Sequence, residues 1–277
     1  MKALWIIPLF ALTICSGCAL YHTKQAPQAP LRNISQYSAN TSTPDLLQGS
    51  EGKVRNPHPL SLADLRAKYK STFLLSGSPS KREVALTFYD APDDHFTPRI
   101  LDVLKHEGVK ATFFVVGNRL EAHPDIVRRM VKEGHIIRNH SYDHANLPKL
   151  SDADFRNQVV KTDHLIRMIS GYKPTFIRPP YGNISEQQIK WLASKHKVIV
   201  NWNVDSLDWK GLNAEQVKTN IFAQAQPGSI ILQHAAGGTG EDLSGTVQAL
   251  PDIIHNFRNN GVKLVTVPEL LDLPKGK

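Results

Sequence analysis

The residues best able to do chemistry lie in the stretch Asn139-His140-Ser141-Tyr142-Asp143-His144, where two histidines stand four residues apart. Asp90, fifty residues before His140, adds a carboxylate. Two imidazoles and one carboxylate can hold a divalent ion and leave a coordination position open for water. The spacing alone is a modest signal, because a chain with 12 histidines can contain His-x-x-x-His by chance. Its weight depends on what else converges on the same place.

Strand-like and helix-like segments alternate around these residues. Apolar runs predict strands over 84–88, 110–116, 174–177, 198–202, 229–233 and 262–265, with 134–137 leading into the histidine pair. Helical spacing predicts helices over 97–106, 124–132, 151–170, 185–196, 213–225 and 243–259. Ser151-Asp-Ala-Asp154 is close to a capping box at the start of the longest of them. Repeated βα units imply an α/β fold with a parallel sheet, and about seven of them in some 200 residues suggest a (β/α) barrel. In such barrels the chemistry sits at the carboxyl ends of the strands. Asp90 falls just past the first predicted strand, and His140 and His144 just past the third. Arg178 to Tyr181 falls past the fourth, Asp205 to Trp209 past the fifth and His234 past the sixth. All the polar candidates therefore share one rim, which chance does not explain.

These segments together resemble the polysaccharide deacetylase family, the NodB-homology or carbohydrate esterase family 4 domain. The resemblance runs from about residue 81 to 271. It rests on His140-Ser-x-x-His144, Arg178-Pro-Pro-Tyr181, Asp205-x-x-Asp208-Trp209 and Leu232-Gln-His234, in the family's order. It implies a distorted (β/α) barrel that removes acetyl groups from N-acetylated sugars of cell-wall or chitin-like polysaccharide, peptidoglycan among them. In such a site Asp90, His140 and His144 would bind zinc, or cobalt or a similar divalent ion. The ion would acidify its water toward a pKa of about 7. The backbone N–H of Tyr181 would hold the oxyanion, a contribution of about 3 kcal/mol. His234 would be the general acid and Asp208 its orienting carboxylate. Pro180, Trp209 and Leu232 would line the sugar groove.

The opening motif, Thr87-Phe88-Tyr89-Asp90-Ala91-Pro92, matches only in part. The family has two adjacent aspartates there, the first acting as general base and the second as metal ligand. Tyr89 occupies the first position and cannot be carried over as a base. Losing general-base help costs about 10²–10⁴-fold, or about 3–5 kcal/mol of barrier. Arg178, which in the family pairs with the missing carboxylate, would lose that partner. Arg138, where glycine is common, would bring a bulky cation to the rim, and the two arginines together could favour an anion. Asp93 and Asp94 lie close enough in sequence to swing inward in place of the base. Two readings follow: an active metal-dependent carbohydrate N-deacetylase, and a catalytically impaired pseudoenzyme that binds metal and glycan. O-acetyl esterase activity is a lesser third.

The rest of the chain sets the context. Residues 1–17 read as a secretory signal, with Lys2 ahead of an apolar run. Ser16-Gly17-Cys18 resembles a bacterial lipobox with Cys18 as the lipidated residue, which would tie the protein to the outer face of the cell membrane, facing the wall. Cys15 and Cys18 are the only cysteines, so the mature chain would have no disulfide and no cysteine metal site. Residues 18–57, rich in Gln, Ala, Pro, Ser and Thr, read as a flexible tether. Residues 58–78 read as a short helical lead-in capped by Ser61, and 79–275 as the catalytic domain. The formal charge of +8 is scattered rather than clustered in an arm. With an export signal, it suits an anionic wall better than nucleic acid.

Overall fold

The computed structural model describes residues 43–47 and 59–275. The signal, Cys18 and most of the tether therefore lie outside the described residues. No helix among those described is long and apolar enough to cross a membrane.

A single parallel sheet organises the domain. The lead-in forms α1 (Pro59–Lys68) and a short strand β1 (Phe73–Leu74). Then come β2 (Glu83–Ala91), α2 (Phe96–Glu107), β3 (Thr112–Val115), α3 (Gly117–Ala122), α4 (Pro124–Lys132) and β4 (Ile136–Asn139). Next are α5 (Asp152–Ser170), β5 (Phe176–Ile177), α6 (Glu186–Ser194), β6 (Val198–Val200), β7 (Val204–Asp205) and α7 (Ala214–Gln224). The series ends with β8 (Ile230–His234), α8 (Ser244–Asn259), β9 (Lys263–Leu264) and α9 (Val267–Leu270). Strand order is β1-β6-β5-β4-β3-β2-β8-β7, with β9 pairing the start of β2. The sheet is a curled, barrel-like layer wrapped by helices, the (β/α) barrel class that the alternation predicts. Among the described residues seven strands are each followed by a helix, while β1 passes directly to β2 and β6 to β7.

Burial along β2 explains the layering, because residues two apart share a face. Val84, Leu86 and Phe88 point outward into the cluster formed with α2, α4 and α8, including Ile100, Leu104, Met130 and Ile253. Ala85 and Tyr89 point inward, into the cluster with Phe114, Phe176, Val200, Ile230 and Leu232. Val267 and Leu270 of α9 belong to that interior cluster. A third cluster, around Phe155, Leu192 and Ile199, packs α5 and α6 on the sheet with Leu62 and Leu65 of α1. Each fully buried side chain of this size contributes about 1.5–3 kcal/mol relative to exposure.

Helix ends follow the local chemistry. Ser151 accepts the Asp154 N–H at the start of α5, and Ser185 with Gln188 and Asn213 with Gln216 form full capping boxes. Three boundaries differ from the sequence reading. Helix α1 starts at Pro59, so Ser61 lies inside it. The lead-in then forms β1 beside β6, because Phe73 fits a buried edge position. Within the stretch read as a tether, residues 43–47 pack on the domain, with Leu46 buried.

One close approach carries a consequence for the site. At the first turn of α8, a Cβ on Gly245 would lie 1.9 Å from the carbonyl oxygen of Leu212. The bare glycine lets α8 approach that turn and sets the position of the next residue, Thr246. Gly245→Ala should cost about 1–3 kcal/mol through overpacking, read as a melting temperature lower by roughly 2–4 °C per kcal/mol.

Candidate active site

Asp90 is the penultimate residue of β2, not a loop residue, and it adopts a left-handed backbone conformation with φ of 61°. Ser141, His144 and Tyr181 share that conformation. Non-glycine residues held there are strained by about 1–3 kcal/mol each and gather at functional sites. The turn that bears the histidines is tied down accordingly. Asn139 accepts the Ser141 N–H through its side-chain oxygen and donates its amide to Val159 O and Asp163. Gln158 of α5 accepts the N–H groups of Tyr142 and Asp143, and Ser141 Oγ accepts that of His144.

The sheet brings together the three ligands that the sequence singled out. Asp90 Oδ1 lies 3.2 Å from His140 Nε2 and 3.1 Å from His144 Nε2. The three residues are fully buried, and their ligand atoms lie within 4.8 Å of one another. Neither nitrogen nor either carboxylate oxygen is in hydrogen-bonding geometry, despite these separations. Each ring has its other nitrogen engaged: His140 Nδ1 donates to Arg178 O at 2.7 Å, and His144 Nδ1 lies 3.0 Å from the Tyr181 hydroxyl. Those contacts aim both Nε2 atoms at the carboxylate, and since the Arg178 carbonyl can only accept, His140 Nε2 presents its lone pair there, the ligand orientation that a metal requires. Burial by itself would raise the Asp90 carboxyl, but His144 and His140 outweigh it and hold it well below the usual range. Burial lowers His140 to about 4 against the opposing pull of Asp90, so the ring is neutral at physiological pH. The donor set thus fits a divalent cation.

The second half of the site is a His–Asp pair. Asp208 Oδ1 lies 2.6 Å from His234 Nδ1, while its Oδ2 accepts the His234 N–H and the Thr246 hydroxyl. Burial pushes the Asp208 carboxyl up, but His234 and the bonds from His234 and Thr246 more than offset that, so it stays ionised. Thr246 was not legible as a site residue; nothing in the sequence links it to a carboxylate 38 positions away.

Tyr89 stands between the two halves. Its ring centroid is 4.0 Å from that of His234 and 4.9 Å from that of His140. The register of β2 with β8 places Tyr89 directly beside His234. Trp202, another residue that the sequence reading left out of the site, stacks beyond it at 6.3 Å.

Several expectations are corrected here. Arg178 does not lack partners: it donates to Val200 O, Asn201 O and Thr87 Oγ1 and lies 4.0 Å over the Phe114 ring. Burial lowers its pKa to about 9, which leaves it protonated at neutral pH. Arg138 is not at the rim. It is buried over Phe176 and Tyr172 and donates to the carbonyls of Ile137 and Lys275. The two arginines therefore make no anion site. Asp93 does not swing inward, because its Oδ1 accepts the N–H groups of His95, Phe96 and Thr97 at the start of α2. Leu232 and Pro180 are buried, Leu232 within the interior cluster that also holds Tyr89. Trp209 remains half-buried. His234 and Asp205 close strands β8 and β7 rather than following them.

If the triad takes up zinc, a thermal melt at pH 7 with zinc near 100 times its Kd should show stabilisation of about 2.7 kcal/mol. That gain should shrink as the pH falls toward 4, where His140 takes up a proton. It should be absent in His140→Ala.

Known proteins resemble this chain in sequence and fold. The polysaccharide deacetylase family model matches residues 76–198. A peptidoglycan-N-acetylglucosamine deacetylase from Bacillus cereus is 46% identical over 206 residues, 74% of each chain. The crystal structure of the Bc1960 peptidoglycan N-acetylglucosamine deacetylase superimposes with a TM-score of 0.74 at 44% identity, covering 80% of this chain and 100% of that one. Wild-type BA3943, a CE4 family pseudoenzyme from Bacillus anthracis, superimposes with a TM-score of 0.67 at 30% identity, covering 72% of this chain and 69% of that one. A BA3943 mutant with restored enzymatic activity superimposes equally well, at 32% identity. With this likeness across most of its length and the ligand triad and His–Asp pair on one rim, the chain belongs to the polysaccharide deacetylase family.

Proposed function

We propose that the protein is an exported, zinc-dependent deacetylase that removes acetyl groups from N-acetylglucosamine units of peptidoglycan or a chitin-like polymer. The observation that carries this reading is the placement of a buried ligand triad and an oriented histidine on opposite sides of one short gap. The sequence features at residues 1–18 support a lipid anchor on the outer face of the membrane, and the +8 charge supports retention in an anionic wall.

Asp90, His140 and His144 would hold the ion, which when bound supplies Lewis acidity toward the acetamide carbonyl and its attacking water. The chain's own residues do the rest. His234 donates a proton to the leaving amine, which is a poor leaving group until protonated. Asp208 keeps that ring in the tautomer with Nδ1–H facing the carboxylate and stabilises its charged form. The Tyr181 N–H, on a backbone fixed in the left-handed region, supports the oxyanion. Arg178, bonded to three strand and loop acceptors, holds the floor beneath Tyr89.

Acetate release from N-acetylglucosamine oligomers or purified peptidoglycan, with zinc or cobalt across neutral pH, tests the reading. No release under any of these conditions would sink it. Asp208→Asn should lower turnover by about 10²–10⁴-fold.

A second reading is favoured by one observation. The Tyr89 ring is buried and packs against both His140 and His234, so it crowds the space in which an acetamide would meet them. The protein would then bind metal and glycan while turning over slowly or not at all. Tyr89→Asp discriminates the two. A gain in acetate release of about 10²–10⁴-fold would identify an intact site lacking its base, and an unchanged rate on an active wild type would show that Tyr89 is no obstacle.

A further inference from the structure

A buried cation stands directly behind the metal triad. Arg119 of α3 is 1% exposed, and its guanidinium donates to three carbonyls from three separate segments. Nη1 bonds Asp90 O at 3.0 Å, at the end of the strand that bears the metal ligand. Nη2 bonds Gly237 O at 2.7 Å, in the loop that leaves His234. Nε bonds Pro44 O at 3.0 Å, in the segment that precedes the domain. Burial lowers the Arg119 pKa, while the carboxylates of Asp90, Asp93, Asp45 and Glu241 offset that and favour the charge.

The bond to Asp90 matters most. The left-handed conformation at Asp90 is strained in aspartate. A donor on the Asp90 carbonyl helps hold the strained backbone from which the carboxylate projects. The bond to Gly237 acts on the other half of the site. That loop is also held by the Ala235 N–H on Tyr89 O, the Gly238 N–H on Glu241 and the Thr239 N–H on Asp45. Residues 43–47 complete the frame: Leu46 is buried, and the Leu47 N–H bonds Asp143 O, between the two ligand histidines. Only a guanidinium offers enough donors in one rigid plane to serve three carbonyls at once.

We propose that Arg119 is a positioning residue that holds the metal ligand Asp90 and the loop of the acid His234 in fixed register, with residues 43–47 as its third anchor. The assignment rests on the deacetylase reading for the role of His234. Its metal-side arm can be measured without turnover.

The test compares the full chain with Arg119→Lys, Arg119→Met and Leu46→Asp. Zinc affinity is measured by competition with a chromophoric chelator, together with the metal-free melting temperature and kcat and KM for acetate release. Loss of a group that orients a metal ligand typically costs 10–100-fold in affinity. Arg119→Met should weaken zinc by about that factor and lower kcat more than it changes KM. Arg119→Lys, which can reach some of the carbonyls, should recover part of both. Leu46→Asp should weaken zinc by a smaller factor, about threefold, because two anchors remain. Arg119 variants that melt earlier but bind zinc within twofold of wild type would overturn the proposal and leave Arg119 a structural residue. If Arg119→Met does not fold, Arg119→Lys decides the same question. Unchanged zinc affinity and KM in Leu46→Asp would remove residues 43–47 from it. A wild type that binds zinc but releases no acetate overturns the deacetylase reading alone, and the affinity comparison still decides the role of Arg119. A wild type that binds no zinc overturns both.

Discussion

A carboxylate with no access to water, Asp90, is the constraint on which the rest of the site depends. An unpaired charge of this kind costs several kcal/mol in a protein interior, so the surrounding chain must supply its compensation. Two imidazoles face it at 3.1 and 3.2 Å, and the Arg119 guanidinium bonds its carbonyl from behind. Both Nε2 atoms are aimed at the acid, so a cation between the three groups would satisfy them all. The fold invests heavily in this point: strained backbone at Asp90, Ser141 and His144 is held by bonds from Arg119, Asn139 and Ser141, with Gln158 holding the adjoining Tyr142.

The opposite side of the gap follows the same logic on a smaller scale. Asp208 is buried, and its carboxylate bonds the His234 ring, the His234 N–H and the Thr246 hydroxyl. That hydroxyl is in place because Gly245 lets α8 approach the turn at Leu212. Packing in the helical layer therefore reaches the chemistry through one hydrogen bond.

Between the halves stands an aromatic ring, Tyr89, at the position where the sequence resemblance leads one to expect a second carboxylate. The consequence is steric as well as chemical. Tyr89 packs on His234, His140 and the Leu232 cluster, and Arg178 takes backbone carbonyls as partners in place of a second carboxylate. Arg178 is thus satisfied by Val200 O, Asn201 O and Thr87 Oγ1 beside the Tyr89 ring. Overall likeness to a deacetylase and to a pseudoenzyme of the family does not decide between the two states.

Much of this was legible in the sequence, for a physical reason. Helix and strand periodicity reports local burial, so the alternation along 84–265 gives the parallel barrel and puts Asp90, His140, His144, Arg178, Asp208 and His234 on one rim. Capping residues such as Ser151, Ser185 and Asn213 are read by short-range bonds and fall where the helices begin. Short strands escaped: β1 and β7 hold two residues each and carry no measurable period. The partners of charged groups escaped too, since they are set by distance in space and not along the chain. Arg138 and Arg178, adjacent in expectation to one anion site, turn out to be separate buried cations bonded to carbonyls. Arg119, Thr246 and Trp202 were unmarked in the sequence, because only the folded sheet brings them to Asp90, Asp208 and Tyr89. The residue types fixed the available chemistry, and the tertiary structure decided which groups face one another and that an aromatic ring stands between them.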